Sequence, residues 1–284
     1  MKLIVISGVS GSGKSTALNV LEDLDYYCID NLPVGLLPAF AEQMQVAPTS
    51  VENIAVGIDA RNLPAELHRF AYILGQLINK GIVCEIVFLD ADDDILIKRF
   101  SETRRKHPLT IDQIPLVDAI KQERILLEPI SSRADLYIDT SLTNLHQLRD
   151  LIKDRISNKN TAKLSLLFES FGYKHGVPTD ADFVFDARCL PNPHWEPKLR
   201  QLTGMDNEVA QYLAQHEQVE KMFTDINNYL HTWVPQFEAD NRSYVTVAIG
   251  CTGGQHRSVY LAKRLTDVFK AERDNVSVRH RDLV

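Results

Sequence analysis

A glycine-rich segment near the start of the chain has the residue types and spacing of a phosphate-binding loop. Residues 8–15 read Gly-Val-Ser-Gly-Ser-Gly-Lys-Ser and fit the pattern G-x-x-x-x-G-K-[ST]. Glycines let the backbone wrap a phosphate with its N–H groups, and the N-terminus of a following helix adds a favourable dipole. The spacing does not fit the dinucleotide fingerprint G-x-G-x-x-G. The pattern predicts nucleotide binding by Gly8, Val9, Ser10, Gly11, Ser12, Gly13, Lys14 and Ser15.

Within this loop, two side chains have specific predicted roles. Lys14 is expected to reach the β- and γ-phosphates and so to act catalytically, and the hydroxyl of Ser15 is expected to ligate Mg²⁺.

Asp90 ends the apolar run 87–90, as expected of a carboxylate that holds Mg²⁺. Asp30 ends an earlier run, where P-loop small-molecule kinases often place an acid that contacts substrate. Both could instead cap the helix that follows, since Asp is a preferred N-cap.

Basic residues follow the Asp90 run, where such kinases carry an arginine-bearing lid: Arg99, Arg104, Arg105 and His107. Arginine suits phosphate because its planar fork binds two oxygens at once. The alternative is that these residues form a solvated helix face.

A second phosphate-like motif lies late in the chain. Residues 251–258 read Cys-Thr-Gly-Gly-Gln-His-Arg-Ser, between a predicted strand and a predicted helix. Its N–H groups, the helix start and Arg257 predict an anion cradle. The segment also fits C-x5-R-[ST], the loop of cysteine phosphatases, in which a thiolate is the nucleophile. Gly250 stands where those enzymes usually have His, and a glycine turn with a buried thiol is the third possibility.

Strands and helices alternate along the chain in a way that would position these motifs. Apolar runs predict strands over 2–7, 26–30, 54–59, 83–90, 136–140, 164–169, 182–187, 244–250 and 275–280. Helices are expected from Ser15 and over 35–45, 64–80, 92–103, 115–128, 144–156, 206–238 and 258–272. We therefore expect an α/β protein: a P-loop kinase-like domain with a parallel sheet over 1–156, and a second, mixed α/β domain over 162–284. The polar stretch 157–161 is the predicted boundary.

Composition narrows the class of protein. The chain is 44% hydrophobic and 24% charged, typical of a globular protein. Its apolar runs fall short of the ~18 residues that a membrane span needs. The four cysteines have neither metal-ligand nor C-x-x-C spacing, so we expect free thiols in a reducing cytoplasm: Cys28, Cys84, Cys189 and Cys251. The net charge of −7 argues against nucleic-acid binding over the whole surface.

Several strings in fixed order resemble the RapZ family of P-loop nucleotide-binding proteins. In the first half they are the P-loop and residues 30–33 (DNLP), 59–62 (DARN), 88–92 (FLDAD), 103–109 (TRRKHPL) and 132–135 (SRAD). In the second half they are residues 169–176 (ESFGYKHG), 185–188 (FDAR), 191–195 (PNPHW) and 247–254 (VAIGCTGG). The resemblance covers essentially the whole chain.

The resemblance implies a regulatory protein that binds ATP and GTP and hydrolyses them weakly. It makes Asp59, Ala60, Arg61 and Asn62 a second nucleotide signature. It implies a second domain that senses an amino-sugar phosphate of the glucosamine 6-phosphate pathway, with contacts from His194, Thr252, Gly253, His256 and Arg257. In some bacteria the family is an RNase adapter that delivers a small regulatory RNA to a ribonuclease. We also expect a homo-oligomer with no membrane contact.

A basic C-terminal end is the predicted RNA contact. Cations outnumber acids beyond residue 256, and the predicted RNA-binding residues are Lys263, Arg264, Lys270, Arg273, Arg279 and Arg281. RNA-binding family members extend further with a basic tail, whereas this sequence ends at residue 284. Asp30 and the arginine-bearing segment leave a small-molecule kinase as the rival function.

Overall fold

A computed structural model describes residues 1–46, 52–103, 105–110, 114–157, 164–240 and 242–283. The chain divides into two compact units, Met1–Ser157 and Asn158–Val284. Each unit is an α/β structure around its own parallel sheet. Over the described residues no helix is long and apolar enough to cross a membrane.

The first unit contains five parallel strands in the order β2-β3-β1-β4-β5. The strands are β1 Lys2–Gly8, β2 Tyr27–Ile29, β3 Asn53–Ile58, β4 Val83–Asp90 and β5 Leu136–Asp139. The helices are α1 Lys14–Glu22, α2 Leu37–Val46, α3 Pro64–His68, α4 Phe70–Asn79, α5 Asp93–Thr103, α6 Leu116–Ser131 and α7 Leu145–Ile152. A 3₁₀ turn, Val34–Leu36, precedes α2, and a π-helical turn, Lys153–Ser157, continues α7.

Strand β1 forms the centre of this sheet and explains why its sequence is a continuous apolar run. It pairs with β3 on one side and β4 on the other, and residues 3–6 are fully buried. A parallel strand covered on both faces needs apolar side chains at successive positions rather than alternate ones. Because the strands are parallel, the loop after β1 and the residues that follow β3 and β4 lie at one edge of the sheet.

The second unit contains a four-stranded parallel sheet in the order β7-β8-β6-β9. Its strands are β6 Ser165–Gly172, β7 Phe183–Asp186, β8 Tyr244–Cys251 and β9 Val276–His280. Its helices are α8 Asn207–Ala214, α9 Glu217–Ala239 and α10 Arg257–Glu272. The expected α/β fold class is confirmed in both units.

Two helices that the apolar spacing predicts as continuous are interrupted. The stretch 206–238 breaks between α8 and α9, because His216 has an extended backbone (φ −101°, ψ 116°). The carbonyl of His216 then accepts from the amide of Val219 (2.9 Å) and starts α9. The stretch 64–80 breaks at Arg69, whose amide bonds Glu66 three residues back. Apolar residues keep their helical spacing on both sides of such a break, so the sequence pattern does not reveal where the helix is interrupted.

Candidate functional site

The phosphate-binding loop joins β1 to α1 and requires glycine for its shape. Gly8, Gly11 and Gly13 have φ of 145°, 90° and 107°, which residues with a Cβ rarely adopt. A Cβ at Gly8 would overlap the backbone of Leu89, and one at Gly13 would come within 2.6 Å of Leu148 Cδ2. The loop therefore lies directly against β4 and α7, with the start of α1 beneath it.

Lys14 is half-buried at the first position of α1. Its ammonium donates to the carbonyl oxygens of Gly8 (2.8 Å) and Val9 (3.2 Å), so it folds back over its own loop. Burial lowers the pKa of Lys14, and the carboxylates of Glu123 and Asp59 act in the opposite direction. The Lys14 ammonium therefore lies over its own loop, within electrostatic range of Glu123 and Asp59.

A cavity of about 1030 Å³ opens beside this loop within the first unit. This volume is at the upper end of typical ligand sites. Its lining combines the loop (residues 10–16), three carboxylates (Asp30, Asp59 and Glu102), and the cations Arg61, Arg99, Arg105 and Lys106. The buried hydroxyl of Ser12 lines it and has no hydrogen-bond partner among the described residues. A phosphate oxygen would supply that partner.

Asp59 follows β3, next to the loop, and carries a tight ion pair. Its Oδ1 accepts from the amide (2.9 Å) and Nε (3.1 Å) of Arg61, and its Oδ2 accepts from Nε (2.9 Å) and Nη2 (2.6 Å) of the same residue. Burial alone would raise the pKa of Asp59, but the Arg61 hydrogen bonds and the charge of Lys14 lower it overall. Ala60 and Asn62 are buried and are not among the residues that line the cavity. Asn62 Oδ1 accepts from the amide of Val34 (2.7 Å).

Asp30 lies at the same edge of the sheet, beyond β2. A Cβ at Gly57 would come within 2.8 Å of Asp30 Oδ1, so the glycine in β3 leaves room for this carboxylate. Asp30 and Asp59 both line the cavity that contains Lys14.

Asp90, the carboxylate predicted to bind Mg²⁺, is engaged elsewhere. It accepts from Arg124 at both oxygens (3.1 and 3.2 Å), from the hydroxyl of Tyr137 (2.7 Å) and from the amide of Ala91 (2.8 Å). It is not part of the described cavity lining. Its place outside this lining argues against the predicted metal and catalytic role, whereas Asp59 and Asp30 line the cavity beside the loop.

The arginine-bearing segment is only partly available to a ligand. Arg99 donates to the carbonyl of Gly11 (3.0 Å) and to the hydroxyl (3.0 Å) and carbonyl (2.6 Å) of Thr140. It therefore links the loop to the residue that follows β5. Arg105 is exposed and lines the cavity, whereas His107 is buried and bonded to Glu123 (2.9 Å). Arg104 lies outside the described residues.

Three residues that sequence reasoning missed organise this site: Glu123, Arg124 and Tyr137. Glu123 accepts from the amide and the hydroxyl of Ser10 in the loop, while Arg124 and Tyr137 hold Asp90. Glu123 and Arg124 belong to α6, whose sequence reads as an ordinary amphipathic helix. No local signal marks them, since their partners are far away along the chain.

The second motif forms a tight loop between β8 and α10. Cys251 is buried, and its Sγ lies 3.1 Å from the hydroxyl of Ser258. Burial alone would raise the pKa of Cys251, but hydrogen bonds from the Ser258 hydroxyl and from the amides of Ser258, His256 and Gly254 lower it overall. Backbone N–H groups of this loop therefore converge on the sulfur of Cys251.

Arg257 supports the loop from within rather than standing open to a ligand. Its guanidinium is buried and donates to the carbonyls of Arg188 (2.8 Å) and Leu190 (3.0 Å) and to the hydroxyl of Thr252 (3.3 Å). Thr252 is exposed and Gly253 half-buried. His256 bonds the carbonyl of Leu199 (3.2 Å), and its ring centroid lies 6.4 Å from that of His194. Of the residues predicted to contact a sugar phosphate, the structure thus places Arg257 against Thr252 and His256 beside His194.

The predicted RNA-binding cations are largely paired within the second unit. The pairs are Lys263 with Asp267 (2.7 Å), Arg264 with Glu220 (2.5 Å), Arg273 with Glu238 (2.5 Å) and Arg279 with Glu169 (3.6 Å). Arg281 is buried against the carbonyl of Gly176 (2.6 Å), and Lys270 is exposed on α10. These partners lower the positive charge that the sequence alone would place on this surface.

Comparison with protein families agrees with this two-unit division. The model of the RapZ-like N-terminal domain matches residues 1–160, and that of the RapZ C-terminal domain matches residues 164–284. The chain belongs to the RapZ family. The family expectation from the sequence is confirmed.

The chain is similar to relatives from other bacteria over its full length and to solved structures over about half of it. A relative from Nitrosococcus oceani, named nucleotide-binding protein, is 60% identical over 283 residues, a match that covers 100% of both chains. One from Pseudomonas fluorescens with the same name is 56% identical over 284 residues, again 100% of both. Among solved structures, a shikimate kinase from Bacteroides thetaiotaomicron is 16% identical, with a TM-score of 0.35 over 53% of this chain and 94% of that one. A sugar kinase from a Janibacter species is 18% identical, with a TM-score of 0.36 over 55% and 91%. The chain is thus similar over its full length to relatives named nucleotide-binding protein.

Proposed function

We propose that the first unit binds ATP and GTP with Mg²⁺ and hydrolyses them slowly, in the service of regulation rather than metabolism. The observation that carries this proposal is one cavity that joins the phosphate-binding loop, Lys14 and the carboxylates of Asp30 and Asp59. The unpartnered Ser12 hydroxyl and the position of the loop at the N-terminus of α1 fit a polyphosphate.

The oxygen donors of the same cavity fit Mg²⁺. Ser15, Asp59 and Asp30 line it, and hydroxyl and carboxylate oxygens are the ligands that Mg²⁺ prefers. When bound, the ion would neutralise phosphate charge. Lys14 would bind the terminal phosphates, and Arg61 would hold the Asp59 carboxylate in place.

Replacing each carboxylate in turn tests the metal assignment. Asp59→Asn should abolish the Mg²⁺ dependence of nucleotide affinity, measured by fluorescence anisotropy of a labelled nucleotide. Asp90→Asn should retain that dependence, because Asp90 is bonded to Arg124 and Tyr137. The reverse pattern would restore Asp90 as the metal ligand. Competition by unlabelled ATP and GTP ranks the two nucleotides.

For the second unit, we propose that the 251–258 loop binds an amino-sugar phosphate as a sensor. The support is the convergence of backbone N–H groups on Cys251, with the exposed Thr252 at the rim. Calorimetry with glucosamine 6-phosphate should show binding that Thr252→Ala weakens and Cys251→Ser preserves. Phosphate release by the parent protein that disappears in Cys251→Ser would instead favour a cysteine phosphatase.

The RNase-adapter role, with a small regulatory RNA and a ribonuclease as partners, is proposed on family membership. Since most of the basic residues are paired internally, RNA must replace those partners, and we expect weak, salt-sensitive binding. A log–log salt slope of about −0.7 per phosphate is expected for a single strand. Neutralising Lys263, Lys270, Arg279 and Arg281 together should flatten it. RNA that binds the variant as tightly as the parent would refute this surface.

A small-molecule kinase is the second candidate, favoured by the position of Asp30 in the cavity. A kinase should release ADP faster when its metabolite is added. A regulatory protein should keep its slow basal rate with every metabolite tried.

A further inference from the structure

One fully buried carboxylate in the first unit is shared between two segments of the candidate nucleotide site. Glu123, on α6, has no exposed surface. Its Oε2 accepts from the amide of Ser10 (2.8 Å) and lies 2.9 Å from Nε2 of His107, and its Oε1 accepts from the hydroxyl of Ser10 (2.7 Å). A buried carboxylate is costly to the fold unless both oxygens are satisfied, and here both are.

The hydrogen-bond pattern fixes the direction of the His107 contact. The amide of Leu109 donates to Nδ1 of His107 (3.2 Å), so Nδ1 is an acceptor and the proton lies on Nε2. His107 therefore donates to Glu123. Its carbonyl in turn accepts from the amide (3.1 Å) and the hydroxyl (2.7 Å) of Thr110, which fixes the backbone around it.

The two segments joined by Glu123 both reach the cavity. Ser10 is the third residue of the phosphate-binding loop, and Arg105, Lys106 and Pro108, beside His107, line the same cavity as the loop. His107 also packs on Phe100, another lining residue, with ring centroids 5.3 Å apart. The carboxylate thus lies where the loop and the arginine-bearing segment meet.

We propose that Glu123 is a positioning residue that sets the phosphate-binding loop and the cations of the 105–108 segment in one arrangement. Through Ser10 it holds the loop, and through His107 it anchors the segment that presents Arg105 and Lys106. The inference rests on the proposed nucleotide binding, and it gives α6 a role in that binding without direct contact to the nucleotide.

Substitution by glutamine shows why the carboxylate itself is needed. Glu123 faces the Ser10 amide, the Ser10 hydroxyl and His107 Nε2. A glutamine keeps the size of the side chain but replaces one acceptor oxygen with an NH₂ donor. The NH₂ can face only the Ser10 hydroxyl, which accepts as well as donates, because the Ser10 amide and His107 Nε2 are both donors. Each partner then keeps a hydrogen bond, but the negative charge that strengthens these buried hydrogen bonds is lost.

The first experiment compares Glu123→Gln with Glu128→Gln in the full chain. Both variants lie on α6 and lose one carboxylate charge, but Glu128 is exposed. We expect Glu123→Gln to weaken binding of a fluorescent ATP analogue by ~10-fold, the consequence of replacing charge-assisted hydrogen bonds with neutral ones, while Glu128→Gln binds like the parent. Equal affinities in the two variants, at matched circular dichroism, would overturn the proposal.

The second experiment separates positioning from general stability. The pair Arg105→Ala/Lys106→Ala is measured in the parent and in Glu123→Gln. If Glu123 anchors these cations, their removal weakens nucleotide binding several-fold in the parent and little in the variant. The same factor in both backgrounds, including no effect in either, would refute the coupling.

If Glu123→Gln does not fold, two substitutions at His107 test the same coupling between Glu123 and the cations of the 105–108 segment. His107→Gln places an NH₂ donor toward Glu123 and should retain the coupling, whereas His107→Leu should lose it. Identical coupling in the two would contradict the anchor. A parent protein that binds no nucleotide would instead refute the proposed function, which the comparison of variants does not address.

Discussion

Removing the Arg257 guanidinium should destabilise the second unit strongly, because this buried cation joins two loops. It donates to the carbonyls of Arg188 and Leu190 on one side and to Thr252 on the other. Arg257→Ala therefore takes the donors from two carbonyl groups and leaves a cavity at the start of α10.

The structure gives the size of this effect. A hydrogen bond from a charged group contributes about 1.5–3 kcal/mol, and a buried group left without a partner costs about 1–3 kcal/mol. With two strong bonds at 2.8 and 3.0 Å and one weaker bond at 3.3 Å, we expect a loss of about 3–5 kcal/mol in the free energy of unfolding. That loss is a large part of the stability of an ordinary domain.

Tryptophan fluorescence in urea measures this loss selectively. The chain has 2 tryptophans, Trp195 and Trp233, and both belong to the second unit. Arg188→Ala is the matched control, because that arginine is exposed and pairs with the exposed Asp186. If Arg257→Ala unfolds at the same urea concentration as Arg188→Ala, the assignment of Arg257 as an internal brace is wrong.

Two further predictions concern a buried acid and the loop glycines. Burial raises the pKa of Glu169 to about 7, with Arg279 opposing and Asp180 and Asp282 adding to the shift. A raised carboxyl pKa means that the folded state binds more protons than the unfolded one, so stability falls as the pH rises from about 4.5 to about 7. Glu169→Gln should reduce the difference in the free energy of unfolding between pH 5 and pH 8 by on the order of 2 kcal/mol, measured by the same fluorescence assay. An unchanged difference between the two pH values would contradict this prediction. Gly8→Ala should abolish nucleotide binding because its Cβ overlaps the backbone of Leu89. Gly75→Ala, in open space on α4, should bind nucleotide normally and gain about 0.5–1 kcal/mol in the free energy of unfolding. Normal nucleotide binding by Gly8→Ala would show that the loop tolerates a side chain.

The phosphate-binding loop was predictable because its chemistry is local. Eight consecutive residues between a strand and a helix contain the glycines, the lysine and the hydroxyl, so spacing alone reveals them. The parallel sheets were equally accessible, since a strand buried on both faces needs a continuous apolar run.

The rest of the site depends on partners that spacing cannot reveal. Asp90 ends an apolar strand, as a metal ligand should, but Arg124 on α6 and Tyr137 on β5 bind its oxygens. Likewise, Arg264 is a plausible RNA contact in the sequence, yet Glu220 on the distant helix α9 pairs with it. A charge that is visible in the sequence is available to a ligand only when the fold leaves it unpaired.

Equilibrium nucleotide binding by Lys14→Ala tests the central claim most directly. Lys14 folds over the loop beside Asp59 and Asp30, and Lys98, an exposed lysine on α5, serves as the control. At matched circular dichroism, Lys14→Ala should lose at least ~10-fold in affinity for labelled ATP, the effect of one charged hydrogen bond, while Lys98→Ala binds like the parent. Unchanged affinity in Lys14→Ala would contradict the assignment of this loop as the nucleotide site.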